Sequence, residues 1–195
     1  AWVNHLLLNG LNSLSGANIM LLGLVIGAMM AIDMGGPFNK AAYVFATAAL
    51  TEGNAAPITA AMVGGMIPPI ALALSMLFFK RKFTKTQRGS IVPNFVMGAS
   101  FITEGAIPFA AADPIRVIPS MMIGSGIGGA IALGLGSSIG APHGGIFVIL
   151  GTDFSHSLQT ILAILVGAAI SAVIYGFIKR KPTADEIAAS ESMDE

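Results

Sequence analysis

Long apolar runs dominate this chain, in place of the alternating or helical periodicity of a half-exposed domain. Three runs, Ala55 to Phe79, Val117 to Gly140 and Leu158 to Ile178, are long enough to cross a bilayer as helices. Crossing about 30 Å of hydrocarbon takes roughly 20 apolar residues. A fourth, Gly16 to Ile32, is apolar but barely long enough, and it stops against Asp33. Between these lie Ala41 to Leu50, Ile91 to Ile102, Gly105 to Ala112 and Gly144 to Thr152, each too short to cross and each bordered by a charge, a histidine or a Gly/Pro turn. Helices of half length survive at membrane depth only where protein or a watery cavity satisfies the freed backbone groups, and such breaks commonly line a binding site. The pattern predicts an all-α polytopic membrane protein, with about four transmembrane helices plus broken or re-entrant half-helices forming a substrate-binding domain. That permease-like domain covers residues 1–178, and a polar, disordered tail covers 179–195.

Composition sharpens this picture. The 195 residues carry 10 Lys plus Arg and 10 Asp plus Glu, so 10% of the chain is charged, against roughly 25% in ordinary soluble domains. A soluble domain, a disordered chain and a nucleic-acid binder are all poor fits. Net charge is zero, yet the charges are sorted. Five positive ones fall in Lys80 to Arg88 and eight of mixed sign in Lys179 to Glu195, which leaves seven of the 20: Asp33, Lys40, Glu52, Glu104, Asp113, Arg116 and Asp153. Basic short loops resist translocation, so the 80–88 loop and Lys179-Arg180-Lys181 are expected in the cytoplasm, with two crossings between them. The chain has no cysteine, which removes thiolate metal sites, cysteine nucleophiles and any phosphocysteine from it. Asp153 and His156 have helical spacing, but two ligands make no metal site, and no metal or cofactor is expected.

An ionisable group at membrane depth is costly unless paired or hydrated, so the seven scattered charges are the candidates for chemistry. Glu104 leads them: Ile102-Thr103-Glu104-Gly105-Ala106-Ile107-Pro108 puts a carboxylate, with Thr103 beside it, at a break between two apolar half-segments. It can accept hydrogen bonds from sugar hydroxyls or act on a proton; a helix cap is the structural alternative. His143, in Gly140-Ala141-Pro142-His143-Gly144-Gly145, offers a donor and an acceptor at a second break, or is a satisfied structural imidazole. Asp33 and Asn39 surround Gly35-Gly36-Pro37, where Asn39 can read hydroxyls and Asp33 can either contact substrate or neutralise Lys40. Glu52 and Asn54 repeat the theme before Pro57, and Asp113 with Arg116 fits a local ion pair. Gly124-Ser125-Gly126-Ile127-Gly128-Gly129 matches the dinucleotide-binding letters, but inside an uncharged span without a preceding strand. Small residues there, and at Gly23 and Gly27, suit close helix packing in lipid.

Three of these stretches together, Asp33-Met34-Gly35-Gly36-Pro37-Phe38-Asn39-Lys40-Ala41-Ala42-Tyr43, Ile102 to Phe109, and Gly140 to Gly145, resemble the fructose-type membrane component of enzyme II (EIIC) of the bacterial phosphoenolpyruvate-dependent sugar phosphotransferase system. The resemblance runs to about Lys181. That component is longer on its N-terminal side, so this chain resembles its C-terminal, substrate-binding half. The resemblance implies a homodimeric permease of the inner membrane that carries fructose, or a close relative, and presents it for phosphorylation by a phosphorylated B subunit or domain. It implies that Glu104 hydrogen-bonds the sugar near the reacting hydroxyl, with His143 and Asn39 as neighbours; Thr103, Asp33 and Asn54 are the further candidates for substrate binding that the breaks themselves offer. The donor's phosphocysteine belongs to the partner, which agrees with the missing cysteine. Related glucose-type members have proline after Thr-Glu, where this chain has Gly105. A proton- or sodium-coupled secondary transporter is the competing expectation, because broken helices with buried acids serve both.

Overall fold

The computed structural model describes residues 18–192, so Gly16 and Ala17 of the expected first span and 193–195 of the tail lie outside it. The described residues form helices and turns with no strand: α1 (Ile19–Ile32), α2 (Pro37–Thr51), α3 (Ala56–Phe78), α4 (Lys85–Gly89), α5 (Ile91–Ala99), α6 (Ile107–Ala112), α7 (Pro114–Gly134), α8 (Ile146–Ile149), α9 (Phe154–Ile178) and α10 (Ala184–Ser192). Two 3-10 turns, Lys80–Lys82 and Thr103–Ala106, join them. The helices α3, α7 and α9, of 23, 21 and 25 residues, are long and apolar enough to cross a membrane. The chain is an all-α polytopic membrane protein. The expected fourth span is a helix of 14 residues, about 21 Å long and short of a full crossing.

Helix α3 is the hub. It packs against α1, α2, α5, α7 and α9, and it is buried around most of its circumference, as a helix without a polar face must be. On α9 the sorting is the reverse of a water-soluble helix. Ser157, Thr160, Ala163, Gly167, Ser171 and Gly176 face inward, while Leu158, Leu162, Leu165, Val173 and Phe177 are exposed. Lipid is as apolar as leucine, so small residues that let backbones approach drive the association. The glycines at 23, 27 and 124 do this, as their spacing suggests. A β-carbon at Gly27 would run into the Ser125 carbonyl of α7, one at Gly64 would lie 2.6 Å from the Gly27 Cα, and one at Gly167 would lie 2.6 Å from the Gly124 carbonyl.

Helix α7 ends at Gly134, six residues before the predicted limit of that span. Gly136 takes a left-handed φ of 78°, the usual glycine stop. The chain then runs extended between α3 and α9: the Ile139 N–H donates to Thr59 Oγ1 at 2.9 Å, and Ser137 Oγ hydrogen-bonds Thr160 Oγ1. Asp113 and Arg116 pair at 3.1 Å where α7 begins.

Both basic clusters sit at one end of the bundle. Lys82 Nζ donates to the Phe177 carbonyl at 2.8 Å, and Lys179 Nζ stands 4.9 Å above the Phe83 ring. Two crossings, α7 and α9, lie between them in the chain, in keeping with the parity expected from charge. Burial pushes the Lys179 ammonium below the ordinary lysine range. The stretch read from composition as a disordered tail contains α10. A capping box starts this helix: Thr183 N–H donates to Glu186 Oε2 at 2.7 Å, and Glu186 N–H to Thr183 Oγ1 at 3.3 Å. Ser190 fastens it to α4, accepting from the Thr86 N–H at 3.1 Å.

Candidate functional site

The position of the Thr-Glu turn is decided inside α3. Proline at 68 and 69 cannot donate to the carbonyls four residues back, which leaves Gly64 and Gly65 with unpaired acceptors in a buried helix. Side chains supply the donors. Ser125 Oγ donates to the Gly64 carbonyl at 2.9 Å, and Thr103 Oγ1 to the Gly65 carbonyl at 3.0 Å. The glycines let those partners come close, since a β-carbon at Gly65 would meet the Phe101 ring and stand 3.0 Å from Thr103 Oγ1. The Gly-Gly-x-x-Pro-Pro run therefore docks the turn bearing Glu104 against the hub helix. Thr103 is buried by this contact and Glu104 is exposed.

The other two polar breaks close around the same turn. Asp33 accepts from the Phe38 N–H at 2.7 Å and the Asn39 N–H at 3.0 Å, so its carboxylate caps α2. Asn39 is buried, and its Nδ2 donates to the Met30 carbonyl at 2.8 Å, tying α2 back to α1. Together these bonds hold the Gly35-Gly36 loop against Glu104: a β-carbon at Gly35 would lie 3.0 Å from Glu104 Oε1. On another side, Gly145 adopts a φ of 55°, and its Cα faces the Ala99 carbonyl and the Phe101 N–H with no room for a β-carbon. The His143 ring lies 5.1 Å from the Phe101 ring, which in turn lies 6.2 Å from Tyr43. Tyr43 Oη donates to the Pro142 carbonyl at 3.1 Å. Residues 33–43, 101–109 and 140–145 thus meet in one cluster. Asn54 does not join it. It caps the α2–α3 turn, accepting from the Ala56 N–H at 3.1 Å, beyond the far end of a 15-residue helix and so about 22 Å from the Gly35 loop along its axis.

Backbone strain gathers at this junction. The non-glycine residues with left-handed φ among those described are Met34 (47°) and Phe101 (62°), one in each of two loops that flank Glu104. Such conformations cost on the order of 1–2 kcal/mol each and persist where surrounding contacts enforce them, often at functional sites.

Glu104 also lines a cleft of about 430 Å³ with Gln87, Ser90, Asn94, Met97 and Phe109, within the range of small-molecule sites. It opens beside α4, at the end of the bundle that carries the basic clusters. Its wall is mostly apolar, from residues that include Met97, Pro108 and Phe109, and is interrupted by hydroxyls, amides and the one carboxylate. Sequence reading singled out Glu104 but passed over Gln87, Ser90, Asn94, Tyr43 and Phe101. The Gly64-Gly65 and Pro68-Pro69 pairs were a legible signal for a docked break, whereas the aromatic links span up to 99 positions and had none.

These features define a polytopic helical membrane protein in which broken helices bring polar side chains to a cleft at one end of the bundle. Residues 1–124 match the family described as "Phosphotransferase system, EIIC", and the chain belongs to that family. It is 49% identical over 176 residues to the "Fructose permease IIC component" of Bacillus amyloliquefaciens, covering 90% of this chain and 57% of the relative. It is 48% identical over 179 residues to the "PTS system fructose-specific EIIB'BC component" of Xanthomonas campestris, covering 91% and 31%. The corresponding "PTS system fructose-specific EIIABC component" of Bacillus subtilis is 46% identical over 179 residues, covering 92% and 28%. The chain therefore spans between 28% and 57% of the length of these relatives. No solved structure matches it.

Proposed function

We propose that this chain is the substrate-binding part of a sugar-translocating phosphotransferase permease of the inner membrane, which takes fructose or a close relative and presents it for phosphorylation. The observation that carries this reading is that the three polar breaks pack into one cluster, whose Glu104 also lines a cleft of about 430 Å³. Glu104 accepts a hydrogen bond from the attacking sugar hydroxyl. The phosphoryl donor is a phosphocysteine on a B subunit or domain: the new O–P bond forms as the S–P bond breaks, the thiolate leaves on the partner, and the hydroxyl proton passes toward the carboxylate. Phosphoryl transfer depends mostly on positioning and charge management, so an aligned hydroxyl is the main requirement.

His143 contacts the sugar from the 140–145 loop. Thr103, Asn39 and Asp33 hold the turn and the Gly35 loop in register around it. The cleft opens at the basic end of the bundle, which the positive-inside rule assigns to the cytoplasm, where the donor domain resides. The protein functions as a homodimer within the bilayer.

The test is sugar phosphorylation in membrane vesicles supplied with phosphoenolpyruvate and the soluble phosphocarriers. Glu104→Gln lowers phosphorylation by at least ~100-fold, the usual loss when a positioned acid–base group is removed, with membrane insertion unchanged. Wild-type rates in that variant would overturn the role of Glu104. Uptake that ignores phosphoenolpyruvate and collapses with the proton gradient would instead indicate a secondary transporter.

A further inference from the structure

Asn94 on α5 is 1% exposed, and only half of its amide is satisfied. Nδ2 donates to the Ser90 carbonyl at 3.0 Å and to Ser90 Oγ at 3.3 Å, while Oδ1 has no hydrogen-bond partner in the protein. The orientation follows from chemistry. The Ser90 carbonyl can only accept, so the nitrogen must face it and the oxygen must point the other way. That way leads to the Glu104 turn, where a β-carbon at Gly105 would come within 3.2 Å of Oδ1 and 2.7 Å of the Met97 methyl. Asn94 lines the same cleft as Glu104. An amide oxygen buried without a donor carries a standing desolvation cost, and a ligand hydroxyl would remove it.

We propose that Asn94 is a second sugar-contacting residue, whose Oδ1 accepts a hydroxyl of the hexose that Glu104 engages. This rests on the functional reading above. Gly105 is part of the device: without a side chain it leaves Oδ1 approachable from the cleft once the 103–106 turn yields slightly to the ligand. Ser90 fixes the amide, so the position reads a hydroxyl as donor and cannot turn over to read an acceptor. A polyol presents donors along its whole edge, and one that lacks the hydroxyl in question leaves Oδ1 buried and unpaired again. The contact therefore contributes selectivity as well as affinity.

The experiment uses the complete protein in vesicles with phosphoenolpyruvate and the phosphocarriers, and measures KM and kcat for fructose and for each monodeoxyfructose. Wild type discriminates against the analogue missing the contacted hydroxyl. Asn94→Ala is expected to raise the KM for fructose about tenfold, as for one lost hydrogen bond of about 1.4 kcal/mol, and to abolish discrimination against that one analogue while keeping it for the others. Gly105→Ala, which leaves Asn94 and its bonds to Ser90 in place, is expected to raise KM. A uniform loss across all analogues with Asn94→Ala, or an unaltered KM with Gly105→Ala, would overturn the assignment. The two readings separate on Glu104→Gln. If that variant is inactive while the Asn94 variant discriminates like wild type, only the Asn94 inference fails; if it works normally, the role of Glu104 fails, and uptake independent of phosphoenolpyruvate overturns the functional reading itself.

Discussion

Two halves of this molecule use the same residue types for opposite purposes. Where α1, α3, α7 and α9 cross, glycines let backbones touch and hydroxyls are spent on backbone carbonyls: Ser125 on Gly64 and Ser171 on Ser120, at 2.9 and 2.8 Å. Around the broken helices, glycines again allow close approach, but there they admit a Glu104 side chain and a histidine-bearing loop. Left-handed Met34 and Phe101 lie in this second half, as does the unpaired Asn94 oxygen. The difference teaches where each half's free energy goes. Buried polar atoms without a partner occur in both halves, at Ser75, His156 and Gln159 on α3 and α9 as well as at Asn94, but the left-handed non-glycine residues among those described lie in the broken half alone.

Gly27→Leu breaks the packed half outright. The side chain would enter the Ser125 backbone, and the expected loss of at least ~3 kcal/mol leaves little folded protein in a thermal-unfolding measurement in detergent. The sharper comparison uses the two carbonyls freed by Pro68 and Pro69. Thr103→Val and Ser125→Ala each strand one buried acceptor at a cost of about 1–3 kcal/mol, so both lower the unfolding temperature similarly. Only Thr103→Val is expected to raise the KM for sugar as well, because only Thr103 holds the Glu104 turn; equal KM effects would erase the distinction between the halves.

A smaller effect is expected from Tyr43→Phe, which removes the bond to the Pro142 carbonyl. The stability loss is about 0.5–1.5 kcal/mol, and the 140–145 loop exchanges its amide hydrogens faster while α7 and α9 do not change. The mildest perturbation is acid. The Thr183 N–H holds the exposed Glu186 carboxyl below its ordinary value of 4.5. Its contribution to α10 is therefore complete above about pH 4.5 and fades as the pH falls through the lower folded value. The protection of amides 184–192 against exchange should weaken as the pH falls below 4.5.

Much of this was legible in the chain. The three long apolar runs became α3, α7 and α9 with shifts of a few residues at most ends, because a helix buried in lipid needs little beyond length and apolarity. Glu104 was legible as a carboxylate at a break, and Gly23, Gly27 and Gly124 as contact points between helices. The misses have local or long-range causes. The Thr183-x-x-Glu186 box starts a helix that net polarity had hidden, and Gly136 ended α7 early. Asp33 looked like a ligand or a partner for Lys40, yet its oxygens accept the N–H groups of Phe38 and Asn39.

By itself, then, the sequence determined the environment, the number of long helices, the places where they break and the residue types waiting at those breaks, since hydropathy and backbone chemistry act over a few turns of chain. Tertiary structure alone decided which breaks meet. It set Gly35 against Glu104 and Tyr43 against Pro142, left Asn54 at the far end of α2, and buried the Asn94 amide oxygen beside Gly105 without a partner. Those outcomes depend on close backbone approach between segments up to 99 positions apart, and no local pattern carries that information.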